Sequence, residues 1–239
     1  MGKTFIDLGI YPGGMEKPEV EKVVMHARKL GYRKVCLVLK SFKGFNFRVF
    51  EGLGIEVIPR LEVGGSTVNV VKKQVLKRGN LWRSAVFSVF AESKRVVMWA
   101  ARNRWIDIIR VPEYSFNKVI DWSVARLLTS NNKAFELQTA PMLRVRGVVR
   151  SKLLKSFYVM VRRLLREKTP VVVSSGANSV FEMRTPQDTV ALATLVGLPL
   201  EEGLKGVSIT PENIVLKVFQ RKMLAGIPEG VKIVQKEDV

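Results

Sequence analysis

Apolar residues along this chain fall into two rhythms that take turns. Runs such as Val35-Cys36-Leu37-Val38-Leu39 and Val171-Val172-Val173 are unbroken and read as strands buried on both faces. Between such runs, apolar residues recur every three or four positions, as Val20, Val23, Val24, Ala27 and Leu30 do, which is the stripe of a helix lying on a sheet. Taken in order, the pattern predicts strands at 4–10, 34–39, 55–63, 83–91, 106–109, 133–137, 171–173 and 206–210. Helices are predicted at 17–30, 67–78, 116–128 and 150–165, after Ser93, from Thr185, and from Thr210 to about Leu224. Residues 42–53 form an irregular, aromatic crossover with a weak helical signal. Pro18, Gly31, Gly79 and Pro112 punctuate these elements where helix starts and stops require them.

Strand and helix alternating at a period of about 25 to 30 residues imply parallel βαβ units. Eight of them close most simply into one (β/α)8, TIM-barrel-like domain over residues 1–239, with a basic and then acidic tail after about residue 225. The alternative is an open doubly wound sheet. It usually carries a GxGxxG after its first strand, which Gly9-Ile10-Tyr11-Pro12-Gly13-Gly14 does not fit.

Charge narrows the partners. Forty Lys and Arg against twenty-one Asp and Glu leave a net charge of +19, and polyanions are the natural ligands of such a surface. Thermophilic surfaces are also rich in Lys, but Glu rises with it there, and here the acids do not keep pace. An anionic membrane surface is the lesser alternative to nucleic acid. No apolar stretch approaches the roughly 20 residues that span a bilayer, and the opening MGKTFIDLGI lacks the parts of a signal peptide, so a cytoplasmic chain is expected. The single cysteine, Cys36, sits in an apolar run and is expected in the core of a protein from a reducing compartment.

Catalytic equipment is sparse. His26, the one histidine, lies within the first helix, away from any strand end, and without His or Cys pairs there is no zinc site. A serine triad lacks its base. Asp7 on the first strand and Glu62 on the third are the carboxylates that could hold a weakly bound Mg²⁺ for phosphoester hydrolysis; Asp107 falls at the wrong end of the fifth strand. Lys40 could in principle form a Schiff base, but suits a phosphate equally well.

Positive charge is what the strand ends do present: Lys40 and Lys43 after the second strand, Arg60 within the third, Arg110 at the end of the fifth. The loop Ser174-Ser175-Gly176-Ala177-Asn178 follows the seventh strand, where backbone N–H groups could cradle a phosphate; an ordinary tight turn is the other reading. Thr185-Pro186-Gln187-Asp188 after it is a capping box. The densest basic patch runs through Arg144, Arg146, Arg150, Lys152, Lys155, Arg162, Arg163, Arg166 and Lys168, against one acid, Glu167. Its helix turns Leu153, Leu154, Phe157, Val161 and Leu164 to the barrel, so the cations face out over RNA or DNA phosphates, with Tyr158 placed to stack on a base. Residues 189–198 are apolar nearly all round, so the free side of that helix is covered either by the C-terminal segment or by another protein chain.

The run Val171-Val172-Val173-Ser174-Ser175-Gly176-Ala177, then Phe181-Glu182-Met183-Arg184-Thr185-Pro186-Gln187-Asp188, then Leu195-Val196-Gly197-Leu198 resembles the archaeal and eukaryotic RNase P protein component 3 family. Val207-Ser208-Ile209-Thr210-Pro211-Glu212 is similar to that family's last strand and helix start, so the close match covers the C-terminal third. The resemblance implies a barrel related to the polymerase and histidinol phosphatase domain, without its metal-binding histidines and without a cofactor. It further implies a non-catalytic protein subunit of ribonuclease P, whose RNA cleaves the 5′ leader from precursor tRNA. The expected partners are the RNase P RNA, precursor tRNA, a small RRM-like subunit and other RNase P proteins. Arg184 matches the motif arginine and leads the expected RNA contacts, which also take in Ser174, Ser175, Gly176, Lys40, Arg60, Arg110, Arg144, Arg146, Arg150, Lys152 and Lys155. Where the family commonly has an arginine just after strand six, this chain reads Phe135-Glu136-Leu137-Gln138-Thr139, so Arg144 either replaces it or the contact is absent. The rival functions are a metal-dependent phosphoesterase using Asp7 and Glu62, and a general structured-RNA-binding protein.

Overall fold

Seven strands build the centre of the molecule: β1 (Ile6–Ile10), β2 (Lys34–Leu39), β3 (Glu56–Gly65), β4 (Val86–Ala91), β5 (Ile108–Arg110), β6 (Ala134–Gln138) and β7 (Val171–Ser174). They are seen in a computed structural model that describes residues 4–41 and 45–223. All pair in parallel and in sequence order, and the sheet curls until β1 meets the end of β7. Ile10 bridges to Ala177 there, and the Tyr11 N–H donates to the Ala177 carbonyl at 2.8 Å.

The described residues include ten α-helices: α1 (Lys17–Lys29), α2 (Val68–Arg78), α3 (Lys94–Arg102), α4 (Phe116–Val119), α5 (Trp122–Ser130), α6 (Ala140–Arg144), α7 (Gly147–Arg166), α8 (Pro186–Thr194), α9 (Leu200–Gly206) and α10 (Ile209–Met223). Their starts follow local capping chemistry. Glu19 accepts from the Glu16 N–H at 3.0 Å before α1, and Ser93 accepts from the Val96 N–H before α3. Thr185 accepts from the Asp188 N–H at 3.1 Å and donates to the Asp188 carboxylate at 2.7 Å, so Thr185 caps α8, with Asp188 held by the threonine hydroxyl rather than by its backbone N–H.

The eighth strand is absent among the described residues. Residues 206–210 close α9 and open α10, and only the Val207 carbonyl, accepting from the Ile6 N–H at 2.9 Å, lies strand-like beside β1. Gly206 explains the change: a Cβ there would stand 2.7 Å from Val173 Cγ2, so its missing side chain lets α9 lie directly on β7. α10 is displaced from the outer ring as a result. Its Ile214, Val215 and Val218 pack among Ile6, Cys36, Ile58, Val86, Ile108, Ala134 and Val172, one inward residue from every strand, and plug the N-terminal mouth of the barrel.

Other boundaries shift for visible reasons. The helix expected at 116–128 breaks into α4 and α5, because the Asp121 carboxylate accepts from the Val124 N–H at 3.0 Å and starts a new helix. Residues 79–83 form a 3₁₀ turn, so β4 begins only at Val86. α7 begins at Gly147 rather than at 150. The crossover at 42–53 keeps a 3₁₀ turn over Phe47–Phe50; Lys43 and the tail after Met223 lie outside the described residues. The apolar stretch 189–198 is covered by the chain on one side, where Thr189 meets Tyr32 and α9 closes so tightly on α8 that a Cβ at Gly203 would be 2.8 Å from Val190, while Ala191 and Leu195 stay exposed on the other.

Candidate nucleic-acid interface

Inside the barrel, period 2 stacks side chains in layers. Above the apolar layer plugged by α10 lie Arg60, Ser88, Glu136 and Ser174, each two residues further along its strand. Arg60 is fully buried. Its Nη1 and Nη2 donate to the two oxygens of Glu136, both at 2.6 Å, while Nη1 also reaches the Leu8 carbonyl at 2.8 Å and Nε the Ser88 hydroxyl at 2.9 Å. Burial works against the Glu136 carboxylate, but Arg60 outweighs it and holds the group below its usual range. Arg60 is therefore turned into the barrel and not toward an external phosphate, and Glu136 in the middle of β6 is its counter-ion.

The next layer seals the C-terminal mouth. Arg110 donates to Glu62 at 3.2 Å and lies 4.1 Å over the Phe90 ring, with its side chain 13 % exposed. The Tyr11 hydroxyl donates to Glu62 at 3.2 Å and accepts from the Gln138 amide at 2.9 Å. The mouth is thus neutralised from within, and Arg110 presents little charge to a ligand.

The loop after β7 is also occupied by the protein's own anions. The Ser175 N–H and the Gly9 N–H both donate to Asp7 Oδ1, at 3.1 and 3.0 Å, and the Asn178 N–H donates to Glu182 at 2.7 Å. The Ser174 hydroxyl donates to Glu136 at 2.7 Å, and Ser174 and Ser175 are both 1 % exposed. Gly176 has φ +64°, and a Cβ there would meet Gln138 at 2.9 Å, so glycine serves backbone shape and packing. The groups of Ser174, Ser175 and Gly176 expected to cradle a phosphate are thus buried or engaged within the chain, in the manner of a tight turn.

Asp7 bridges the seam of the barrel, because its carboxyl accepts the N–H groups that a full β1–β7 ladder would use. Oδ2 is buried with no hydrogen-bond partner among the described residues, and burial, reinforced by the charge of Glu136, raises its pKa. A buried carboxyl with a raised folded-state pKa binds its proton more tightly than the unfolded chain does, so stability falls as pH rises from the ordinary value towards the folded one. Asp7→Asn should therefore be more stable than wild type at pH 7 to 8, with the advantage shrinking as pH approaches about 4. Urea midpoints across that range check this; a variant weaker at pH 8 than at pH 4, relative to wild type, contradicts it. The same geometry removes the hydrolase pair. Asp7 is held by backbone in the seam, Glu62 by Arg110 and Tyr11 at the mouth, and no group of three His, Cys, Asp or Glu gathers among the described residues. Asp107 lies at the N-terminal end, where it accepts from Arg221 at 2.6 Å.

Arg144 folds back rather than outward. It donates to both Glu182 oxygens, at 2.6 and 2.7 Å, and to the Gly176 carbonyl at 2.9 Å, tying α6 to the loop after β7. Arg184 is half-buried; its Nη1 donates to the Phe181 and Met183 carbonyls, at 2.8 and 2.6 Å, and it pairs with no carboxylate among the described residues. Lys40 is exposed just past β2.

The basic face lies along α7. Phe157, Met160, Val161 and Leu164 are buried against the barrel, while Arg146, Arg150, Lys152, Lys155, Arg162, Arg166 and Lys168 are exposed, and among the described residues none of these seven pairs with an acid. Arg163 is the exception on this helix, since its Nη1 donates to the Ile120 carbonyl at 2.5 Å and fixes α7 to the α4–α5 turn. The 20-residue helix spans about 30 Å, long enough for several phosphates in a row. Sequence reasoning located this face but missed Trp122, whose ring carries Arg166 at 4.5 Å; the break at Asp121 makes it the first residue of α5 instead of the middle of one continuous helix.

Comparison with known proteins agrees with the barrel fold. The chain is 26% identical to the ribonuclease P protein component 3 of Methanosarcina barkeri, over 100% of this chain and 99% of that one. It is 27% identical to the protein of the same name from Methanosarcina mazei, over the full length of both. A chain in the cryo-EM structure of archaeal ribonuclease P with mature tRNA has the same fold, with a TM-score of 0.73 at 20% identity, covering 98% of this chain and all of that one. The family model described as RNase P subunit p30 matches residues 4–223, a span that takes in every described residue, and the chain belongs to that family.

Proposed function

We propose that this chain is a non-catalytic protein subunit of ribonuclease P, acting in the cytoplasm on the RNA that removes the 5′ leader from precursor tRNA. The observation that carries the reading is the family match over residues 4–223; the exposed, acid-free cations of α7 supply the physical means. Arg146, Arg150, Lys152 and Lys155, with Lys40 and Arg184 nearer the strand ends, contact phosphates and lower the repulsion between the catalytic RNA and its substrate. The relative in archaeal ribonuclease P was solved with mature tRNA, the product of leader removal, which supports action within a particle that holds tRNA. A small RRM-like subunit and other ribonuclease P proteins complete the particle.

The test is precursor-tRNA cleavage by the cognate RNA at modest Mg²⁺, with and without this chain and its small partner. Cleavage should require RNA and protein together, and Arg184→Ala should slow it roughly 10-fold while the protein stays folded, as loss of one charge-assisted contact implies. Cleavage by the protein alone, or no stimulation of the RNA, would refute the subunit reading. Equal affinity for unrelated structured RNAs would point to the general RNA-binding alternative.

A further inference from the structure

We propose that the junction of α5 and α7 grips unpaired ribonucleotides, with Trp122 and Tyr158 as the surfaces on which bases stack. The inference rests on the RNA-binding reading and deepens it. Both rings stand on the outside of the barrel, Trp122 41 % and Tyr158 47 % exposed, where burial contributes least to folding. Each is paired with an arginine of α7: Arg166 lies 4.5 Å from the Trp122 centroid and Arg162 lies 5.9 Å from that of Tyr158. Such cation–π contacts hold ring and guanidinium in one orientation before any ligand arrives. One edge of the Tyr158 ring also rests against Gly197, where a Cβ would come within 2.8 Å of Cδ2.

Spacing joins the two platforms. Lys155, Tyr158, Arg162 and Arg166 follow one another at three- and four-residue intervals, so Tyr158 and Arg166 stand about 12 Å apart along one face of α7. Cations for phosphates and rings for bases therefore alternate along a single line. Nearby acids do not compete for them. The Asp121 carboxylate is taken by Lys94, Ser123 and the Val124 N–H, and Glu167 by Arg126 at 3.0 Å. A duplex offers its phosphates to such a line but hides the faces of its bases, whereas unpaired loops and ends expose them to aromatic rings and guanidinium planes. The arrangement fits non-duplex RNA.

Binding of two labelled RNAs to the full-length protein tests this: an unstructured strand of about 12 nucleotides and a fully paired duplex of similar length. Trp122→Ala should weaken single-strand binding roughly 5- to 100-fold and duplex binding less than about 2-fold, with Trp122→Phe restoring most of the loss. Equal loss on both RNAs, or no loss on the single strand, overturns the inference. Neutralising Lys152, Lys155 and Arg162 together separates the two levels. If that variant binds both RNAs as wild type does, the α7 face itself has failed as an RNA site. If it weakens both while Trp122→Ala changes neither, RNA binding stands and base stacking is overturned.

Discussion

Arg60→Ala should destabilise the barrel by on the order of 3–5 kcal/mol, a large share of the roughly 5–15 kcal/mol that holds a domain folded. The cost comes less from the lost attraction than from what remains. Glu136 is 1 % exposed and loses both 2.6 Å bonds, leaving a carboxylate with only Ser174 as a close donor. Glu136→Ala should cost a similar amount by stranding the guanidinium. A paired replacement, Arg60→Met with Glu136→Leu, should recover most of the stability, because two apolar side chains need no partner. Denaturant midpoints of the three variants decide it, and near-equal loss in the double variant would show that the pair itself is required. Acid adds an independent check. The folded Glu136 pKa lies below its ordinary 4.5, so the stability it contributes is present above that value and is lost as pH falls towards the folded one. The double variant should lose less stability than wild type over that interval.

The same pair marks where the sequence was legible and where it was not. β7, the turn at 174–178 and the Thr185–Asp188 cap were readable because each is fixed by residues within a few positions of one another. Arg60 was not. It and Glu136 are 76 residues apart, and only barrel closure brings them together. An inward-facing charge on a buried strand does carry a signal, since period 2 places Arg60 on the same face as Ile58, and such a charge calls for an opposite one at an inward position on another strand. The missing eighth strand is a different kind of miss. Val207-Ser208-Ile209 satisfies strand propensity locally, and the close approach of Gly206 to Val173 overrides it. At 116–128 the signal was present and outweighed: Asp121 is a good N-cap, but the apolar periodicity runs through it.

Replacing Lys152, Lys155 and Arg162 with glutamine should weaken binding of the RNase P RNA about 100-fold at 0.1 M salt and only about 5- to 10-fold at 0.3 M, because each phosphate contact contributes a counterion-release slope of roughly 0.7 to 0.9. The slope of log affinity against log salt should accordingly fall by about 2 to 3. All three side chains point away from the buried face of α7, and glutamine is nearly as good a helix former as lysine or arginine, so the fold should be unaffected. The matched control is Lys72, Lys73 and Lys77 on α2, also exposed cations, on the helix that follows β3 rather than β6. Removing those lowers the net charge by the same three units. A large loss from the α7 set with less than about 2-fold from the α2 set would locate the RNA on one face of the barrel. Equal losses from both would mean that the +19 charge attracts RNA from all sides, and that the exposed cations of α7 form no particular site.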